Sequence, residues 1–283
     1  MHNITYRMIP TNHIKLHVAL AGPEDGAPLI LLHGFPDASF GWDRQIQALA
    51  EAGFYVIAPD QRGYNLSDKP QGKGNYKMSL LVADILGLAD ALHIPQFNLA
   101  GHDFGALVSW NLVDRHPERV KRLAILNVPH PKIMNEFLKT NSQQRAKSWY
   151  AFFFRLPVLP EIMARINHWK MLSSAMCKSL SAAELDRYHT AWSQPGAMTA
   201  MINWYRSVFQ QSPQEVPTQK IRVPTLMIWG KLDPHLMWQM APESIAMCEN
   251  GRLEYFEDAT HWVHQDKPVE VNRLLIEHFV TTP

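Results

Sequence analysis

Gly101-His102-Asp103-Phe104-Gly105 sets a carboxylate between a short apolar run and a helix-like segment, where a sharp turn would hold a nucleophile. Phe97 to Ala100 reads as a buried strand, and Phe104 to His116 carries apolar residues at helical intervals until Pro117 ends them. Glycines two positions before and after Asp103 let the backbone turn tightly and let the helix approach the strand. With an ordinary pKa near ~4, an aspartate is already ionised at neutral pH and needs no base to attack carbon. Attack on a carbonyl would give only a reactive anhydride. Attack on an sp3 carbon that bears a leaving group gives an alkyl ester, which water can hydrolyse, so Asp103 is expected to open epoxides or displace halides.

Hydrolysing that ester requires a base, and a base requires a group to orient it. Thr225 to Gly230 reads as a strand followed by the loop Lys231-Leu232-Asp233-Pro234, and Leu253 to Glu257 reads as another, followed by the loop that carries His261. Both side chains would then project from carboxyl ends of strands, where open α/β sheets place their sites. The order Asp103, Asp233, His261 is the nucleophile, acid, histidine order of an α/β-hydrolase, and Gly-x-Asp-x-Gly stands where such enzymes carry Gly-x-Ser-x-Gly. Asn127 occupies an alternative position for the acid after an earlier strand, but an amide orients imidazole less well, so Asp233 is expected.

Further motifs extend the pattern over nearly the whole chain. They are His33-Gly34-Phe35-Pro36 with Trp42, Asp60-Gln61-Arg62-Gly63-Tyr64 with Ser67 and Pro70, Asn127 to Pro131, and Thr260-His261-Trp262 with Asp266-Lys267-Pro268. On these residues the chain resembles the epoxide hydrolases of the α/β-hydrolase superfamily. The resemblance implies that Tyr150 and Tyr205 are the paired phenols that hold the epoxide oxygen, since a neutral phenol can donate to the developing alkoxide at pH 7. The amides of Phe35 and Phe104 are expected to form the oxyanion hole. Trp42, Trp149, Phe152 and Trp262 are expected at the substrate pocket. Many relatives have Trp where this chain has Phe104, which bears on pocket shape.

These residues must be positioned by a sheet. Apolar runs at Leu29 to Leu32, Tyr55 to Ala58, Phe97 to Ala100, Leu123 to Asn127, Thr225 to Trp229 and Leu253 to Phe256 alternate with helical segments such as Ser79 to His93. The expected fold is α/β, a doubly wound and mostly parallel eight-stranded sheet, with strands around Ile14 to Leu20 forming an antiparallel edge. From about Pro129 to Pro224 the strand signal gives way to helical text rich in Trp, Met and Phe. Residues 129–219 are therefore expected to form an inserted helical cap on a core of residues 1–128 and 220–283, with the polar Gln210 to Lys220 stretch marking its end. A cap encloses an apolar pocket suited to a hydrophobic epoxide and water.

Composition removes several alternatives. A net charge of +1 over 283 residues, with no basic cluster, gives no footprint for nucleic acid. Two cysteines, Cys177 and Cys248, are too few for a disulfide scaffold, and no basic start precedes an apolar leader, so a cytoplasmic setting is expected. The Phe152-Phe153-Phe154 run is too short for a transmembrane segment. No His/Cys/Asp spacing reads as a metal site, no cofactor is required, and His102 and His264 are expected to be satisfied structural histidines. Two rivals remain. A haloalkane or haloacetate dehalogenase would share Asp103, Asp233 and His261, with Trp149 as halide donor, but the haloacetate type generally has Arg after the aspartate and gains nothing from the tyrosines. A non-catalytic binder of a hydrophobic ligand or partner protein has no support, because every reacting group is intact.

Overall fold

Eight strands form one sheet in the computed structural model, which describes residues 3–166, 168–208 and 220–280. They are β1 (Thr5–Thr11), β2 (Ile14–Ala21), β3 (Ala27–Leu32), β4 (Phe54–Pro59), β5 (Phe97–His102), β6 (Val120–Leu126), β7 (Thr225–Gly230) and β8 (Gly251–Phe256). Their order is β1-β2-β4-β3-β5-β6-β7-β8. β2 pairs antiparallel with both β1 and β4, and every later pairing is parallel.

The central strands are continuous apolar runs because helices cover both faces of the sheet. Side chains alternate along a strand. Ile30 and Leu32 therefore join a core with Leu99, Ile125 and the helices Met78–Ala91 and Phe104–Arg115, while Leu29 and Leu31 join a second core with Leu126, Ile228 and the helices Asp43–Glu51 and Pro268–Val280.

This order creates the functional edge. The chain leaves β3 toward β4 on one side and later returns to place β5 on the other, so β3 and β5 flank the point where the winding reverses, and ligands of open α/β sheets bind there. Register aligns the carboxyl ends: Leu32 faces Gly101, Gly101 faces Ile125 and Leu126 faces Ile228. The residues just beyond those ends include Phe35, Asp103, Asn127 and Asp233.

Between β6 and β7 the described chain carries only helices, from Pro131–Thr140 to Ala197–Val208. The expected end of the cap, residues 210–219 with Pro213 and Pro217, lies outside the described residues. No described helix is long and apolar enough to cross a membrane.

Candidate active site

The turn from β5 into the helix Phe104–Arg115 places Asp103 at φ 50° and ψ −122°, a backbone state a non-glycine residue rarely takes. The positive φ falls on the aspartate itself, and the two glycines serve close approach instead. A Cβ on Gly105 would lie 2.1 Å from the Leu32 carbonyl oxygen, and one on Gly101 would lie 2.5 Å from the Ser109 hydroxyl. Gly34 performs the same service from the neighbouring loop, since a Cβ there would lie 2.2 Å from Asp103 Cβ.

Each oxygen of Asp103 has a different neighbour. Oδ1 accepts a 2.7 Å hydrogen bond from the Phe35 amide, and Oδ2 lies 3.4 Å from His261 Nε2. Burial pushes the Asp103 pKa up, but the bond and charge of His261 outweigh it and hold the carboxyl at about 2. Asp103 is therefore ionised at neutral pH. The Phe104 amide begins the helix directly after it.

His261 bridges two carboxylates. Its Nδ1 lies 2.7 Å from Asp233 Oδ2, while Nε2 faces Asp103. Burial lowers its pKa, yet the Asp233 charge, followed by the Asp103 bond, raises it to about 10, so the resting ring is an imidazolium between two anions.

Asp233 is itself held on every side. Oδ1 accepts from the amides of His235 at 2.7 Å and Leu236 at 2.9 Å, and Oδ2 accepts from Asn127 Nδ2 at 2.9 Å. Asn127 sits at φ 52° just after β6, and its side-chain Oδ1 accepts from the Gly230 amide. Asn127, the alternative position for the acid, is thus a donor that holds the Asp233 carboxylate in place. From the helical insertion, Lys147 donates to the Asp233 carbonyl and Gln144 donates to the His235 carbonyl, tying Ser142–Lys147 to this loop. Neither Gln144 nor Lys147 carries any signal in the sequence.

Tyr150 and Tyr205 come from separate helices, Trp149–Phe153 and Ala197–Val208, yet their rings meet at 6.1 Å and 87°. Tyr205 packs edge-on against Phe104 at 4.7 Å and Phe35 at 5.1 Å, so both amide-bearing residues also wall this phenol. Burial, followed by the charge of Asp103, raises both phenol pKa values far above their ordinary 10. The phenols stay neutral, and neither hydroxyl is committed to a protein hydrogen bond among the described residues.

Three kinds of similarity bear on this geometry. Residues 27–268 match the α/β hydrolase fold family. An AB hydrolase superfamily protein of Bacillus subtilis is 42% identical, covering 98% of this chain and 99% of that one. Epoxide hydrolase 2 of Caenorhabditis elegans is 34% identical, covering 98% of this chain and 80% of that protein. The chain belongs to the epoxide hydrolases of the α/β-hydrolase superfamily. The crystal structure of a Bacillus megaterium epoxide hydrolase in complex with an inhibitor superposes with a TM-score of 0.90 at 29% identity, over 97% of this chain and all of that one.

In this member of the family the four residues expected at the pocket part company. Trp262 is buried beside His261, its ring 5.8 Å away and its indole N–H bonded to the Ala175 carbonyl at 2.7 Å. Trp42 is fully buried in the second core against His264, apart from the core that holds Phe104 and Tyr205. Trp149 is 65% exposed. Phe152 borders an open groove of about 880 Å³ whose lining includes none of Asp103, Tyr150 and Tyr205.

The two histidines expected to be satisfied differ as well. His102 Nε2 bonds the His261 carbonyl at 2.8 Å, but its Nδ1 and both nitrogens of His264 have no partner among the described residues. Sequence spacing hid this, because Asp37 lies sixty-five residues before His102 yet approaches both histidines. Cys177 and Cys248 are both free thiols and buried.

Proposed function

We propose that the chain hydrolyses hydrophobic epoxides to vicinal diols through a covalent ester on Asp103. The observation that carries this reading is a pair of uncommitted, neutral phenols beside an ionised aspartate on a strand-to-helix turn. An epoxide oxygen leaves as an alkoxide and needs a proton that neutral phenols can supply, whereas a halide leaves without one. Oδ1 is occupied by the Phe35 amide, so Oδ2 is the attacking oxygen. It forms a C–O bond to the less hindered carbon as the ring C–O bond breaks toward Tyr150 and Tyr205.

Charge then decides the second step. Once Asp103 is an ester its negative charge is gone, and the two Asp103 contributions that raise the His261 pKa go with it. The imidazolium proton is released in balance with the proton gained by the new hydroxyl. Neutral His261, oriented by Asp233, takes a proton from water as that water attacks the ester carbonyl. Charge growing on Oδ1 is met by the Phe35 amide, with Phe104 as the second donor. Collapse breaks the ester C–O bond while the leaving diol oxygen takes the remaining proton of the added hydroxyl, which returns Asp103 as carboxylate beside imidazolium. The balance closes with water alone and calls for no cofactor.

Residues 129–219 act in this reading as a cap that keeps bulk water from the ester. Two buried free thiols suit a reducing cytoplasm. The dehalogenase reading is weaker, because its halide donor Trp149 projects into solvent.

A single turnover of excess enzyme with styrene oxide in oxygen-18 water tests the route. Unlabelled diol with label gained in the Asp103 peptide supports the ester. Labelled diol with unlabelled Asp103 means direct attack by water and rejects it.

A further inference from the structure

Behind the catalytic histidine lies a second group of buried side chains that the ester mechanism does not use. Asp37, His102 and His264 are 2%, 0% and 0% exposed, and one ligand-type atom from each lies within 4.8 Å of the others. Asp37 Oδ2, His102 Nδ1 and both His264 ring nitrogens have no hydrogen-bonding partner among the described residues. Orphaned buried polar atoms cost about 1–3 kcal/mol each, so three side chains that each carry one and converge within 4.8 Å call for an occupant. Asp37 Oδ2 and His264 Nε2 stand 3.9 Å apart. That is too long for a direct hydrogen bond, and two bonds of about 2.8 Å from one water span up to about 4.6 Å at a tetrahedral angle.

We propose that Asp37, His102 and His264 hold a buried water site that braces the His261 loop against the cap helix Ala182–Trp192. The inference rests on the two-step reading above and assigns positioning residues to its second step. One side of the site reaches the cap, because Asp37 Oδ1 accepts from the Tyr188 hydroxyl at 2.7 Å and Gln265 Nε2 donates to the same hydroxyl. The other side reaches the base, because His102 Nε2 donates to the His261 carbonyl and the two rings are 4.7 Å apart. With that nitrogen donating, His102 Nδ1 is an acceptor, whereas a neutral His264 offers one donor and one acceptor. A water can both donate and accept. A cation would satisfy only lone pairs and leave the His264 N–H unpaired, which favours water over a metal.

The test separates ester formation from ester hydrolysis by rapid-quench mass analysis of Asp103 in His264→Phe and Asp37→Asn. Phenylalanine keeps a ring between Trp42 and His102 but removes both nitrogens. The expected result is hydrolysis slowed about tenfold, the weight of one hydrogen bond, with ester formation within about twofold of the parent and a lowered Tm. A raised Tm in His264→Phe would mean that dry nitrogens had been relieved, and would overturn the site. So would equal slowing of both steps, or one equivalent of metal in the purified protein. If His264→Phe does not fold, Asp37→Asn supplies the same two rates, and a high-resolution crystal structure must place a water within about 3.2 Å of at least two of the four atoms. Absence of any ester in the parent enzyme would instead reject the underlying mechanism.

Discussion

Replacing Asp233 with asparagine should separate the two half-reactions. The His261 pKa of about 10, against an ordinary 6.5, corresponds to about 5 kcal/mol of net preference for the imidazolium at about 1.36 kcal/mol per tenfold. The two carboxylates supply that preference, and Asp233 is the larger contributor. In the second half-reaction Asp103 is esterified, so the imidazolium that forms as water attacks has only Asp233 for a counter-ion. The Asp233→Asn side chain would also offer an amide N–H or carbonyl to a ring that now receives a carboxylate at 2.7 Å, which disturbs the tautomer. The loss should be the greater part of that energy, about 3–5 kcal/mol, or roughly 10²–10⁴ in the hydrolysis rate. Ester formation depends on Asp103 and the phenols and should change far less. Stopped-flow tryptophan fluorescence measures both phases, and intact mass should reveal the adduct accumulating. Hydrolysis within about fivefold of the parent, or equal loss in both phases, would refute the charge argument.

Tyr205→Phe and Tyr150→Phe should each slow ester formation by roughly 10–100-fold and the double variant much more, while a preformed ester hydrolyses at the parent rate; the burst phase reports the former and its decay the latter. Ester formation should be flat between about pH 4 and 9, because Asp103 ionises at about 2 and His261 keeps its proton to about 10. The same pair fixes the sign of its effect on stability: the depressed carboxyl contributes above its unfolded pKa near 3.8 and fades as pH falls through 2. The raised imidazole contributes fully below 6.5 and fades as pH rises through 10, so chemical denaturation should find this contribution largest between about pH 4 and 6.5. Gly105→Ala should cost more than about 2 kcal/mol in the same measurement and abolish the burst, since its Cβ would meet the Leu32 carbonyl at 2.1 Å and push the helix off β3.

The sequence by itself determined the parts of this protein that are local. Apolar runs marked six of the eight strands, and each lies on its observed element, with Asn127 falling past the end of β6 and Glu257 past the end of β8; burial on both faces leaves the inner strands β3 to β7 nearly continuous apolar stretches, whereas the edge strand β8 is only half-buried and carries Glu254. Strand, turn and helix around Asp103 are contiguous, so the apolar run, the glycine spacing and the helical pattern together announced the elbow. The tyrosines were legible only through resemblance, since Tyr150 and Tyr205 sit among aromatic residues on helices with nothing local to distinguish them. Tertiary structure decided what depends on contacts across long separations. Asn127 and Asp233 are 106 residues apart, and only the parallel register of β6 and β7 turns a supposed rival acid into a hydrogen-bond donor to the Asp233 carboxylate. Strand order, not strand pattern, put β3 and β5 together at the winding reversal and brought the Phe35 amide to Asp103. The same packing sent Trp42 into the second core and Trp149 into solvent. It also gathered Asp37, His102 and His264 behind the base, because side-chain direction is set by which layer an element faces, and one chain's spacing does not encode that.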